Sequence, residues 1–114
     1  MQANTYQEEM KKFVSSIQCK PEQSLLITSA LGIAGEAGEY ADLIKKVVFH
    51  EKPFDKDHAV KELGDVCWYI ALACNVLGVS FEEVMETNIN KLNARFSSGS
   101  FTVEEANNKK EGDI

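Results

Sequence analysis

Ala59-Val60-Lys61-Glu62-Leu63-Gly64-Asp65-Val66-Cys67-Trp68-Tyr69-Ile70-Ala71-Leu72-Ala73-Cys74-Asn75-Val76-Leu77 is the run on which the fold turns. It lacks the period of two that a half-buried strand requires, and it is longer than an ordinary strand. As a helix it is apolar nearly all round, so it has no solvated face of its own. A domain of 114 residues cannot easily surround such a helix alone, which predicts a homodimer or homotetramer with this helix at the interface. Its most apolar part, Val66 to Leu77, contains Asn75 and falls short of the about 20 residues that a membrane span needs.

Working outward, the same helical logic holds on both sides. Upstream, His50-Glu51-Lys52-Pro53-Phe54-Asp55-Lys56-Asp57 is a polar connection in which Asp55 or Asp57 can cap the central helix. Before it, apolar residues from Leu25 to Val47 recur around most of a helix that runs from about Glu22 to Phe49, with Pro21 suited to its first turn. Thr5-Tyr6-Gln7-Glu8 has the pattern of a capping box, followed by Tyr6, Met10, Phe13, Val14 and Ile17 at helical spacing. Downstream, Gly78 suits a helix C-cap, and Ser80-Phe81-Glu82-Glu83 opens a further helix striped by Phe81, Val84, Met85, Ile89, Leu92 and Phe96. Past Ser97-Ser98-Gly99-Ser100, Thr102-Val103-Glu104-Glu105 can start one short turn before a polar tail. The reading is an all-α four-helix bundle, one domain over residues 1–100 with residues 101–114 as tail.

Composition narrows the function classes. A net charge of −6 and a pI near 4.9 lack the basic footprint of nucleic-acid binding. Cys19, Cys67 and Cys74 form no C-x-x-C pair and suggest neither a disulfide framework nor zinc. The N-terminal residues lack the charged and apolar regions of a signal peptide, so the cytoplasm is the expected location and no membrane partner is expected.

The chemistry rests on four acids. Gly35-Glu36-Ala37-Gly38-Glu39 and Lys61-Glu62-Leu63-Gly64-Asp65 each carry two carboxylates three residues apart, hence on one helix face. Two such helices side by side would gather Glu36, Glu39, Glu62 and Asp65 in one pocket, where like charges repel unless cations neutralise them. The suitable cation is hard and oxygen-loving, Mg2+ with Mn2+ as substitute. Solvated helix acids are the ordinary alternative, but such acids often have a Lys or Arg four residues later. Here those positions are Tyr40, Leu43, Val66 and Tyr69, whereas Asp42 does have Lys46. Gly32, Gly35, Gly38 and Gly64 lie within the helical segments at about 0.5–1 kcal/mol each, which predicts close approach of a second helix or a ligand beside the acids.

Other side chains offer phosphate and base contacts. Asn88, Lys91 and Arg95 share one face of the fourth helix, and two cations with an amide suit phosphate oxygens, although the same pair also suits a plain solvated face. Lys45 and Lys46 are weaker candidates of the same kind. Trp68 and Tyr69 can stack on a base or belong to the core. His58, four residues before Glu62, can approach the acids or serve as a capping or surface residue. A di-iron bundle would need Glu-x-x-His pairs, and neither histidine supplies one.

Taken together, the two acid motifs, Gly78-Val79-Ser80 and Asn88-Ile89-Asn90-Lys91-Leu92-Asn93-Ala94-Arg95-Phe96 resemble the MazG-like nucleoside triphosphate pyrophosphohydrolases, from about Leu25 to Phe96. The resemblance implies an all-α bundle that binds magnesium through its ExxE and ExxD acids. It also implies hydrolysis of a nucleoside triphosphate to the monophosphate and pyrophosphate, in a dimer or tetramer. On that pattern Glu36, Glu39, Glu62 and Asp65 hold the metal, Glu36 or Glu39 accepts the proton of an attacking water, Lys91 and Arg95 hold the phosphates, and Asn88 orients them or the sugar. The family pattern has two adjacent acids where this chain has Gly35-Glu36, a departure that implies fewer ions. It also leaves a rival expectation, a helical nucleotide-binding or protein-interaction module without turnover.

Overall fold

The computed structural model describes residues 1–14, 21–96, 99 and 101–107, and among them there is no strand. The order is α1 (Ala3–Glu9), a 3-10 turn (Met10–Phe13), α2 (Glu22–Phe49), α3 (Lys56–Leu77), α4 (Phe81–Arg95) and α5 (Val103–Asn107). The chain is all-α, as the periodicity predicts. It divides into two compact units, Met1–Phe81 and Glu82–Ile114.

Local chemistry sets the helix ends in the first unit. Asp55 caps α3, its Oδ1 accepting the backbone N–H of His58 at 3.0 Å. At the other end Gly78 takes the left-handed conformation (φ 71°). There Val79 N–H donates to the Cys74 carbonyl at 3.0 Å and Gly78 N–H to that of Asn75 at 3.4 Å, a Schellman motif. α2 has the expected bounds, but Pro21 is its N-cap (ψ 146°) rather than its first helical residue. The Thr5 capping box does not form: α1 begins at Ala3, and Glu8 instead pairs with Lys11 at 2.9 Å. An i, i+3 ion pair with a lysine competes for the carboxylate that a box would use.

α2 and α3 form the main seam, and α1 with its 3-10 turn packs on α3. The core is small. Met10, Val14, Ala71 and Leu72 make its centre, with Tyr6, Trp68, Tyr69 and Phe81 against it. Phe13 departs from the expected stripe and is exposed, because the switch from α to 3-10 geometry after Glu9 rotates it off the core face. Ile17 and Cys19 lie outside the described residues, as does the tail from Asn108.

One buried amide ties α1 to the end of α3. Gln7 donates from Nε2 to Asn75 Oδ1 (2.7 Å) and to the Val79 carbonyl (2.9 Å), and its Oε1 accepts from Phe81 N–H (2.8 Å). A buried side-chain amide with its groups satisfied fixes the helices it joins, because any other placement leaves polar atoms unpaired.

In the second unit α4 begins directly after Ser80, as expected, and ends at Arg95. The Phe96 and Phe101 rings pack at 5.1 Å. Thr102 caps α5: its hydroxyl accepts Glu105 N–H at 3.1 Å and donates to Glu105 Oε1 at 3.1 Å, a side-chain cap in which the glutamate pairs with the hydroxyl and not with the Thr102 backbone N–H of a full capping box.

Candidate functional site

The α2–α3 seam brings the acid motifs together, three carboxylates at a time. One oxygen each from Glu36, Glu62 and Asp65 lies within 4.8 Å of the others. Glu39 is outside this group. Residues three apart differ by about 60° around a helix and about 4.5 Å along it, so the rotation of each helix decides how many of its pair reach the shared point: both acids of α3 do, and one of α2. Glu39 is exposed, and its charge still reaches both Glu36 and Lys46.

Electrostatics follow from the crowding. The Glu36 carboxyl is held above its ordinary 4.5, first by loss of solvent and then by the charges of Asp65, Glu62 and Glu39. The sign for stability is definite. At neutral pH the metal-free fold carries a charge it disfavours, and as pH falls through the raised folded pKa, protonation relieves that penalty. Melting temperatures in EDTA, followed from pH 7 to about pH 5, should therefore show Glu36→Gln more stable than wild type at pH 7, with the gap closing as the pH drops. A gap that widens toward low pH would contradict the crowding.

The surroundings supply few counter-charges. Asp42, outside the site, holds Lys46 at 2.9 Å and Lys45 at 3.2 Å, which lowers its own carboxyl and engages both lysines away from the centre. Among the described residues Glu36, Glu39 and Asp65 have no hydrogen bond or ion pair. Glu62 does have a partner: His58 Nε2 lies 2.9 Å from its Oε1. His58 lies at i−4 from Glu62, so of the two places open to it in the sequence, near the acids or at the surface, it takes the first while staying partly exposed.

Two recesses flank the centre. Glu36 and Asp65 share one of about 350 Å³ with Trp68 and Tyr69, whose rings meet edge-on at 5.0 Å and 83°. Both aromatic residues are half-buried and pack on the core while also lining this recess. On the other side Glu39 and Glu62 border a groove of about 700 Å³, with Leu43, Val47 and Phe54 among its apolar walls. Tyr6 is a residue the sequence reading missed. Its hydroxyl is 3.5 Å from the Gly64 carbonyl, and burial with the charges of Cys67 and Asp65 pushes its pKa up. Nothing but its place on the α1 stripe signals it.

The glycines divide. A Cβ on Gly32 would overlap the Tyr69 ring, so the bare backbone of α2 at this glycine is what admits that ring. Gly35, Gly38 and Gly64 have nothing within 4 Å of such a Cβ among the described residues, so within the single chain no helix packs directly on them. Asn88, Lys91 and Arg95 lie on α4 in the second unit, Asn88 exposed and the other two half-buried.

The donor set fits a hard divalent cation: three convergent carboxylates and, among the described residues, no lysine or arginine paired with them. Among the described residues no single helix is long and apolar enough to cross a membrane. Over 73 residues the chain is 38% identical to the Gene 37 protein of Mycobacterium phage L5, a match covering 60% of this chain and 64% of that protein's length. No solved structure matches it. Residues 26–99, which include both acid motifs and all of α3 and α4, match the MazG nucleotide pyrophosphohydrolase domain, and the chain belongs to that family.

Proposed function

We propose that this chain hydrolyses a ribo- or deoxyribonucleoside triphosphate to the monophosphate and pyrophosphate, with water attacking the α-phosphorus, in a magnesium-dependent reaction that serves nucleotide-pool housekeeping in the cytoplasm. The observation that carries this reading is the convergence of Glu36, Glu62 and Asp65 within 4.8 Å at the junction of the two acid motifs. Magnesium, or manganese in its place, supplies there a Lewis acid for phosphate oxygens and a lowered pKa for a bound water. Glu36, Glu62 and Asp65 hold it. Glu39, outside the convergent three and exposed, is the carboxylate left to accept a proton from the attacking water, with Glu36 as the other candidate. Trp68 and Tyr69 offer edges and faces to a base in the recess beside Glu36 and Asp65. Asn88, Lys91 and Arg95 are assigned to the phosphates.

The functional unit in this reading is a homodimer or homotetramer. Val60, Leu63 and Leu77 on α3 and Val84, Met85 and Ile89 on α4 are exposed in the single chain, and no residue of α4 is buried. Apolar surface of that extent is characteristic of a subunit interface.

The deciding experiment is a panel of triphosphates assayed for pyrophosphate with magnesium in 18O-labelled water. The expected result is release that EDTA abolishes, with the label in the monophosphate. Release that survives EDTA, or label in pyrophosphate, overturns the proposal. One feature favours a second reading, a nucleotide-binding module without turnover: Gly35 stands where the family pattern has an acid. Magnesium-dependent nucleotide binding by calorimetry, with no product, would select it.

A further inference from the structure

We propose that His58 is a positioning residue for the metal centre, holding the Glu62 carboxylate in the orientation that lets it converge with Glu36 and Asp65. The inference rests on the metal-binding reading above and concerns a residue outside both acid motifs.

Three observations carry it. The His58 ring nitrogen Nε2 lies 2.9 Å from Glu62 Oε1, a short contact between groups one helical turn apart. An ionised carboxylate only accepts hydrogen bonds, so Nε2 carries the proton and the imidazole donates. The Glu62 side chain keeps only 16% of its exposure while that of His58 keeps 51%, so the carboxylate is the more enclosed member of the pair. Among the described residues it is the hydrogen-bond partner of Glu62. Finally, His58 is itself fixed at the backbone, since its N–H is the donor to the α3 cap, Asp55. Asp55, His58 and Glu62 thus form a chain of contacts from the start of α3 to the metal centre.

The chemistry follows from what a carboxylate among other carboxylates does. Repulsion from Glu36 and Asp65 favours rotamers of Glu62 that swing away from the convergent position. A donor on Oε1 opposes that swing and leaves the remaining lone pairs for a cation. Partners of this kind typically change metal affinity by about 10–100-fold when removed.

The test is Mn2+ binding to the full chain without nucleotide, read by the loss of free-ion signal in electron paramagnetic resonance, with melting temperatures recorded in EDTA. His58→Ala is expected to weaken Mn2+ binding by about tenfold or more. His58→Gln should restore most of it, because glutamine Nε2 stands the same number of bonds from Cα as histidine Nε2, whereas His58→Asn is one bond short and should not. Unchanged binding in His58→Ala, or equal losses in the Ala and Gln variants, overturns the positioning role. A fall in affinity matched by a fall in the metal-free melting temperature that Gln does not repair also overturns it, since that is the signature of a merely structural residue. Wild-type protein that fails to bind Mn2+ overturns the metal reading itself, and the role of His58 with it.

Discussion

Asp65→Asn is expected to lower magnesium-supported pyrophosphate release by about 1000-fold or more, equivalent to about 4 kcal/mol of transition-state stabilisation. The metal-free fold should lose nothing, and its melting temperature should hold or rise. Both halves come from the same geometry. Asp65 is exposed and, among the described residues, makes no hydrogen bond or ion pair, so the fold loses no contact when its charge is removed. Its charge does press on its neighbours, raising the carboxyl of Glu36 and the hydroxyl of Tyr6. An acid that raises its neighbours' pKa values and is paired with none of them destabilises the metal-free fold, and its retention calls for a ligand. The asparagine keeps the shape and one neutral oxygen, which isolates the charge as the variable. Assays of initial rate at saturating magnesium, with thermal melts in EDTA, check the two halves together. Activity within tenfold of wild type, or a lower metal-free melting temperature, would place Asp65 outside the chemistry.

The sequence and the structure agree at most places where the deciding interactions are local, the Thr5 capping box being the exception that a rival local ion pair overrides. α2 spans Glu22–Phe49 in both, and the Asp55 cap and the Gly78 Schellman turn sit where a few neighbouring residues dictate them. The acid spacing likewise brought Glu36, Glu62 and Asp65 to one place, because i, i+3 neighbours on packed helices have little freedom. What escaped the reading depends on helix phase or on distant partners. Glu39 shares a motif with Glu36 but not the convergent position, and the rotation of α2 about its axis, set by packing, decides which of the two meets α3. Gln7 bonds to Asn75, Val79 and Phe81, more than sixty residues away, and no local pattern announces a buried amide hub.

The glycines turn that contrast into an experiment in which one substitution changes sign along the chain. Gly32→Ala is expected to destabilise by about 2–3 kcal/mol, the range of overpacking in a close-packed interior. Its Cβ would overlap Cγ, Cδ1 and Cε1 of Tyr69, the near part of the ring, so a rotation of the ring tip cannot clear it. Either the α2–α3 seam opens or Tyr69 moves as a whole. Tyr69 also lines the recess it shares with Glu36, Asp65 and Trp68, so either response disturbs the site. Gly32→Ala should therefore raise KM for nucleotide as well as lower the melting temperature. Gly35→Ala, Gly38→Ala and Gly64→Ala should each stabilise by about 0.5–1 kcal/mol, because a Cβ meets open space there and the residue gains helix propensity. Chemical denaturation of the four single variants measures the series. If Gly32→Ala stabilised like the others, Tyr69 would not pack against α2 as described. If the other three destabilised, a partner surface or ligand would have to approach those positions, and the free-energy change at each would show which of the acids it approaches.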